Sequence, residues 1–210
     1  MHSLHGVADE KVSQNSVPIW KADFLRYLIL FAEGGIYSDL DVSCEKPIDE
    51  WIPPQHREKA SLVVGWEFDM GWEGNFIRQF ETWTILAKQG SPHLWMVIQE
   101  LVLSFKDKMT EQQVGIEGLT MDMMGDVIDA TGPRRFTRGI MKSVGDAFNI
   151  TVQDIQELLE PRLVGDLLVL PGHAFAASAN RYGEEMELPP PLVQHNYAGS
   201  WKNDKGGEVS

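Results

Sequence analysis

The sequence predicts an α/β fold. A helical apolar stripe over residues 21–33 runs straight into an alternating stretch over 36–42. Two short apolar runs, at 61–66 (SLVVGW) and 165–170, read as buried strands, with helical stretches set between them.

The elements follow in chain order. Residues 1–17 are polar and read as a loose N-terminal segment. Lys21 to Glu33 reads as a helix in which Ala22, Leu25, Leu28, Ile29 and Ala32 form the apolar stripe, and Gly34-Gly35 ends it. A strand over Ile36 to Val42 places Ile36, Ser38, Leu40 and Val42 on one face and Tyr37, Asp39 and Asp41 on the other. After a loop marked by Pro47, Pro53 and Pro54 comes the strand at 61–66. Phe76, Phe80, Trp83 and Ala87 are in helical register, which predicts a helix over 76–88. Ser91-Pro92 opens the next helix, carried through Phe105, and 106–117 reads as a connection. Helices are predicted over 122–130 and 136–144, and over 151–160 after a capping-box-like start. The strand at 165–170 ends at Pro171-Gly172, and 203–210 is a polar tail.

Lys plus Arg number 18 and Asp plus Glu number 31, giving −13. That balance disfavours non-specific nucleic-acid binding, which depends on basic side chains neutralising phosphate, and suits a bound cation. The single cysteine, Cys44, permits no intrachain disulfide. Asn149-Ile150-Thr151 is a glycosylation acceptor triplet, meaningful only in the secretory route. No apolar run approaches a membrane span, and the start, MHSLHGVADEKVSQ, lacks the apolar core of a signal peptide.

Asp39 and Asp41 raise the chemical question. Two like charges on one strand face repel, and burying them unpaired costs several kcal/mol or more. A hard divalent cation resolves this, because Mg²⁺ and Mn²⁺ take carboxylate oxygens and leave positions for phosphate. Asp23 and Arg26, three apart on the helix, extend the polar cluster with Tyr37. A surface ion pair beside a solvated strand end would give the same pattern. An EF-hand loop counted from Asp39 fails at Cys44, where glycine is needed, and at Pro47. An aspartyl-phosphate phosphohydrolase, with Gly125-Asp126 and Asp129 as its later acidic motif, lacks an apolar strand before Asp39. A non-catalytic binding surface stays open.

The stretch Lys21 to Asp41, KADFLRYLILFAEGGIYSDLD, closely resembles the sugar-binding DXD region of family 32 glycosyltransferases, through D-x-x-R-Y…G-G-x-Y-x-D-x-D. Thr131-Gly132-Pro133 and His195…Gly199-Ser200-Trp201 are similar to later family segments. The resemblance covers roughly Pro18 to Lys202, so 18–202 is the expected glycosyltransferase domain. It implies a GT-A-type fold, a nucleotide-sugar donor with GDP-mannose favoured, Mn²⁺ or Mg²⁺, retention at the anomeric carbon and a glycan or glycolipid acceptor. It implies Asp41 as direct metal ligand and Asp39 as a contact to the donor and the metal shell. It further implies Asp23, Arg26 and Tyr37 around the donor sugar, His195 as a late metal or diphosphate contact, and Ser200 and Trp201 closing over the diphosphate. Trp66, Glu67, Asp69 and Trp72 are acceptor-side candidates. A Golgi or secretory lumen follows from the family. Only 38 residues precede Asp39, without a strand–glycine turn–helix, so part of the N-terminal βαβ unit is expected to be lacking. A catalytically silent module that binds metal and sugar is the alternative reading.

Overall fold

The computed structural model describes residues 17–72 and 76–197. Apart from Val17, the N-terminal segment lies outside the described residues, as does the tail at 203–210.

Helix α1 spans Pro18–Glu33, with proline in its first turn, where the missing N–H costs nothing. It buries Trp20, Asp23, Arg26, Tyr27 and Leu30. The expected apolar stripe is therefore not the buried one, for Leu25 and Ile29 are exposed. The polar face can go inward because its charges pair with each other and Tyr27 stacks on Phe136, at 5.2 Å and 7°.

The strand expected over 36–42 is two strands. β1 (Gly35–Ser38) pairs antiparallel with β5 (Thr84–Ala87), and β2 (Val42–Cys44) pairs with β8 (Val193–His195) in a separate ribbon. The Asp39 N–H reaches the Trp83 carbonyl at 2.8 Å, and the Val42 N–H closes a turn onto the Asp39 carbonyl at 3.2 Å. Asp39 and Asp41 thus flank a turn, with Leu40 fully exposed at its tip, 106%.

β3 (Leu62–Phe68) occupies the predicted place. The helix predicted over 76–88 is absent: β4 (Gln79–Phe80) and β5 stand there instead. β5 lies between β1 and β3, and ladders on both sides outweigh a four-residue spacing. α2 (Pro92–Gln112) continues through much of the expected connection and ends at Gln113, φ 55°. Gly125, φ 78°, divides the next predicted helix into α3 (Met121–Met124) and α4 (Val127–Ala130). α5 runs over Pro133–Phe148, longer than 136–144. Asn149, first residue of the glycosylation triplet, sits exposed at its left-handed cap. The capping box at Thr151 and Asp154 forms but starts only one 3₁₀ turn, Val152–Asp154. β6 (Arg162–Val164), not anticipated, makes a hairpin with β7 (Leu167–Leu170), followed by α6 (Gly172–Ala176).

The main sheet has the order β1-β5-β3-β7-β6, with β4 also on β3. β3–β7 is its parallel pair among the described residues, so the fold is mixed α/β. Side chains alternate across the sheet. Leu62, Val64, Trp66, Ile85, Leu167 and Val169 pack beneath α1, α2 and α5. Val63, Leu86, Leu168 and Leu170 pack on the other face against Trp51, Phe175 of α6 and Val193 of β8. This second face holds the β2–β8 ribbon, and so Asp41 and His195, beside the end of β1. Among the described residues, no helix is long and apolar enough to cross a membrane.

Candidate functional site

Two distant parts of the chain converge where β1 ends. The turn supplies Asp39 and Asp41, and β8 supplies His195, whose Cα is registered opposite Val42. One carboxylate oxygen each from Asp39 and Asp41 and a ring nitrogen of His195 lie within 4.8 Å of one another. His195 Nε2 is 3.4 Å from Asp41 Oδ2. The Asn196 backbone N–H and side-chain amide both donate to the Asp41 carbonyl at 2.9 Å, which fixes the turn against β8.

Each group is held from behind. The Tyr37 hydroxyl donates to Asp39 Oδ1 at 2.6 Å. Arg26 Nη1 stands 3.6 Å from the same oxygen, and its guanidinium lies over the Tyr37 ring at 4.8 Å. Arg26 also donates to the Thr82 carbonyl at 2.5 Å and pairs with Asp23 Oδ1 at 2.9 Å. Thr131 donates to Asp23 Oδ2 at 2.6 Å, and Tyr27 to the Thr131 carbonyl at 3.0 Å. The Trp83 indole stacks on the His195 ring at 4.3 Å and 11°, with Tyr197 edge-on to both.

Burial sets the protonation states. It holds the His195 imidazole below its ordinary value, against the charges of Asp41 and Asp39. A neutral ring can offer a lone pair. Burial raises the Tyr37 hydroxyl, with the Arg26 charge opposing and the Asp39 hydrogen bond adding, so Tyr37 stays a donor. Burial also raises Asp23, opposed by Arg26 and the Thr131 hydrogen bond. Two carboxylates and a neutral imidazole form a hard-to-borderline donor set that suits Mn²⁺ or Mg²⁺. His195 Nε2 is the ring nitrogen turned toward Asp41, while Nδ1 is buried without a hydrogen-bond partner among the described residues.

The other sequence candidates divide. Asp23 and Arg26, 4% and 6% exposed, sit beneath Asp39 rather than at the surface. Trp66 is sealed in the core, stacked on Phe80 at 4.0 Å, with its N–H on the Ile155 carbonyl at 2.7 Å. Buried Asp69 is engaged by Arg78 Nε at 2.9 Å and the Glu157 N–H at 2.7 Å. Both residues spend their polar groups inside the fold. Glu67 is partly exposed; burial lifts its carboxyl to about 7, with the Gln79 hydrogen bond opposing. Trp72 is exposed, with its indole on the Ala179 carbonyl at 2.8 Å. Ser200 and Trp201 lie outside the described residues. Sequence reasoning missed Thr131 as the Asp23 partner, Trp83, Tyr197 and Glu81. The last is a fully buried carboxyl whose Oε2 accepts the Thr84 N–H at 2.7 Å. Trp83 and Glu81 were read inside a helix, and nothing local marks either as a neighbour of Asp39.

Residues 6–58 match the family pattern described as the glycosyltransferase sugar-binding region containing the DXD motif. That span includes Asp23, Arg26, Tyr37, Asp39 and Asp41. The chain is 37% identical over 196 residues to the initiation-specific alpha-1,6-mannosyltransferase of Schizosaccharomyces pombe, covering 90% of this chain and 48% of that protein. It belongs to the family 32 glycosyltransferases. The Candida albicans protein of the same name is 33% identical over 214 residues, covering 89% of this chain and 54% of its own length. The putative glycosyltransferase HOC1 of Saccharomyces cerevisiae is 28% identical over 216 residues, covering 96% of this chain and 54% of its own length. The chain spans about half the length of the curated relatives it matches. Within this family 32 chain, His195 lies outside the matched DXD segment, and the β2–β8 ribbon joins it to the motif.

Proposed function

We propose that this chain forms the donor-binding and catalytic part of a metal-dependent, retaining glycosyltransferase on a GT-A-type fold. The favoured reaction moves mannose from GDP-mannose to a glycan or glycolipid acceptor in the Golgi or secretory lumen. The meeting of Asp39, Asp41 and His195 from distant parts of a family 32 chain carries this reading. The mannosyltransferase names of two relatives support the choice of sugar.

A Mn²⁺ or Mg²⁺ ion held by Asp41, Asp39 and His195 would offset the charge that builds on a departing diphosphate. The chain's own groups prepare for that. The Tyr37 hydrogen bond and the Arg26 charge hold the Asp39 carboxylate in place, so little reorganisation accompanies the reaction. Asp23 acts at one remove by fixing Arg26. Ser200 and Trp201, outside the described residues, keep the diphosphate role that the family resemblance implies. Glu67 stands on the acceptor side, where its carboxyl can orient a hydroxyl. In the transfer, the bond from the anomeric carbon to the diphosphate oxygen breaks, and its electron pair leaves with the nucleotide. The acceptor oxygen bonds to the same face, and its proton passes to the departing phosphate oxygen. Positioning then supplies much of the rate.

The test is Mn²⁺-dependent binding of GDP-mannose, beside UDP-glucose, to this chain and to Asp41→Asn. Donor binding that requires the ion and is lost in Asp41→Asn supports the site. Binding without transfer to any mannosyl acceptor would reduce the chain to a sugar-binding module. A folded chain that binds neither donor would overturn the reading.

A further inference from the structure

Among the described residues, Trp83 contacts both Asp39 and His195, the first through its main chain and the second through its side chain. Trp83 sits between β4 and β5, 6% exposed. Its carbonyl accepts the Asp39 N–H at 2.8 Å. Its indole face lies on the His195 ring at 4.3 Å, nearly parallel at 11°. Its indole N–H donates to the Phe175 carbonyl at 3.1 Å, which anchors the ring to α6. The preceding carbonyl, that of Thr82, holds Arg26. We infer that Trp83 is a positioning residue for the metal cluster, locking the His195 imidazole in the plane that turns Nε2 toward Asp41.

The inference rests on the metal reading above and deepens it. An imidazole on a ribbon strand has two free torsions, and most of their settings point its nitrogens away from the turn. A flat aromatic face beneath the ring removes those settings, and Tyr197 packs against the same ring at 4.0 Å and 63°. A ligand ordered in advance binds a cation more tightly, because less ordering remains to be done on binding. The Asp39 support is a main-chain bond and survives any substitution at Trp83. A side-chain change therefore tests the His195 half alone.

The experiment titrates Mn²⁺ in the presence of GDP, following the free ion by electron paramagnetic resonance. It uses the wild type, Trp83→Phe, Trp83→Leu, His195→Ala and the double variant Trp83→Leu with His195→Ala, each checked for cooperative thermal unfolding. Trp83→Phe keeps an aromatic face and should bind within about threefold of wild type. Trp83→Leu should weaken Mn²⁺ at least tenfold, and the double variant should be no weaker than His195→Ala alone. That non-additivity is the signature that a merely structural role would not produce. If Trp83→Leu does not fold, Trp83→Met takes its place. Wild-type affinity in folded Trp83→Leu, or additive losses in the double variant, would overturn the inference and leave the metal reading standing. Absence of Mn²⁺ binding by the folded wild type would overturn both.

Discussion

Asp41 and His195 face each other across the β2–β8 ribbon, with Oδ2 of the one 3.4 Å from Nε2 of the other. One belongs to the DXD turn near the start of the chain and the other to its last described strand. The contact makes the ribbon part of the site and not an ornament on the sheet.

His195→Ala should therefore reduce metal-dependent donor binding at least tenfold, which is about 1.4 kcal/mol. Its effect on stability should be about 1–2 kcal/mol, because the ring packs on Trp83 and Tyr197 but makes no buried hydrogen bond through Nδ1. Calorimetric titration with GDP-mannose and Mn²⁺, beside a thermal melt, checks both. Unchanged donor affinity would remove His195 from the cluster.

Asp23 and Arg26 call for a stability experiment. Their side chains are 5% and 7% exposed and 2.9 Å apart. Asp23→Ala would remove the nearest charge partner of the buried guanidinium, leaving Asp39 at 3.6 Å and the Thr82 carbonyl, a loss of about 3 kcal/mol. Thr131→Val removes one hydrogen bond to Asp23 and should cost about 1–2 kcal/mol. Urea unfolding reads both. A smaller loss for Asp23→Ala than for Thr131→Val would mean that the buried pair is not what holds α1 to α4 and α5.

Glu67 predicts a pH dependence. Its carboxyl is raised from 4.5 to about 7, first by burial, with Gln79 and Arg134 opposing. The folded chain therefore keeps this proton over a range where the unfolded chain releases it. The stabilising contribution is complete below about pH 4.5 and is lost as pH rises through 7. Glu67→Gln cannot ionise and still offers Gln79 a carbonyl oxygen. At pH 8 it should unfold roughly 2–4 °C above wild type, about 1 kcal/mol, and the difference should vanish near pH 5. Parallel melting curves at both pH values would contradict the assignment.

Gly139 of α5 lies close against Val97 of α2. A Cβ there would lie 2.8 Å from the Val97 Cα, a backbone atom that cannot rotate aside. Gly139→Ala should cost about 1–3 kcal/mol despite the higher helix propensity of alanine. Denaturant titration measures it, and a stabilised variant would show that the two helices can separate freely.

The residues that make the cluster were largely legible before any coordinates. The spacing of Asp39 and Asp41 after Gly34-Gly35 pointed to a divalent cation, and the string from Asp23 to Asp41 pointed to the family. β3 and β7 were legible as unbroken apolar runs, because strands covered on both sheet faces need no polar alternation, and α1 was legible as a helix though not in the face it buries. What the sequence did not settle were choices between partners. Leu25 and Ile29 look like a core stripe, but the buried face of α1 carries Asp23 and Arg26, because Thr131 and Thr82 are there to satisfy them. Phe76 to Ala87 has helical spacing, but β5 gains ladders on two sides. Asp39 and Asp41 look like one strand face, but the Trp83 carbonyl ends β1 and β8 captures β2. Trp66 and Asp69 read as acceptor-side candidates, but their polar groups are taken by Ile155 and Glu157, far along the chain. The sequence by itself determined the family motif and the acidic pair, Asp39 and Asp41, that it carries. Only the tertiary structure decided how they meet, because hydrogen-bond partners distant in the chain leave no mark in the local pattern.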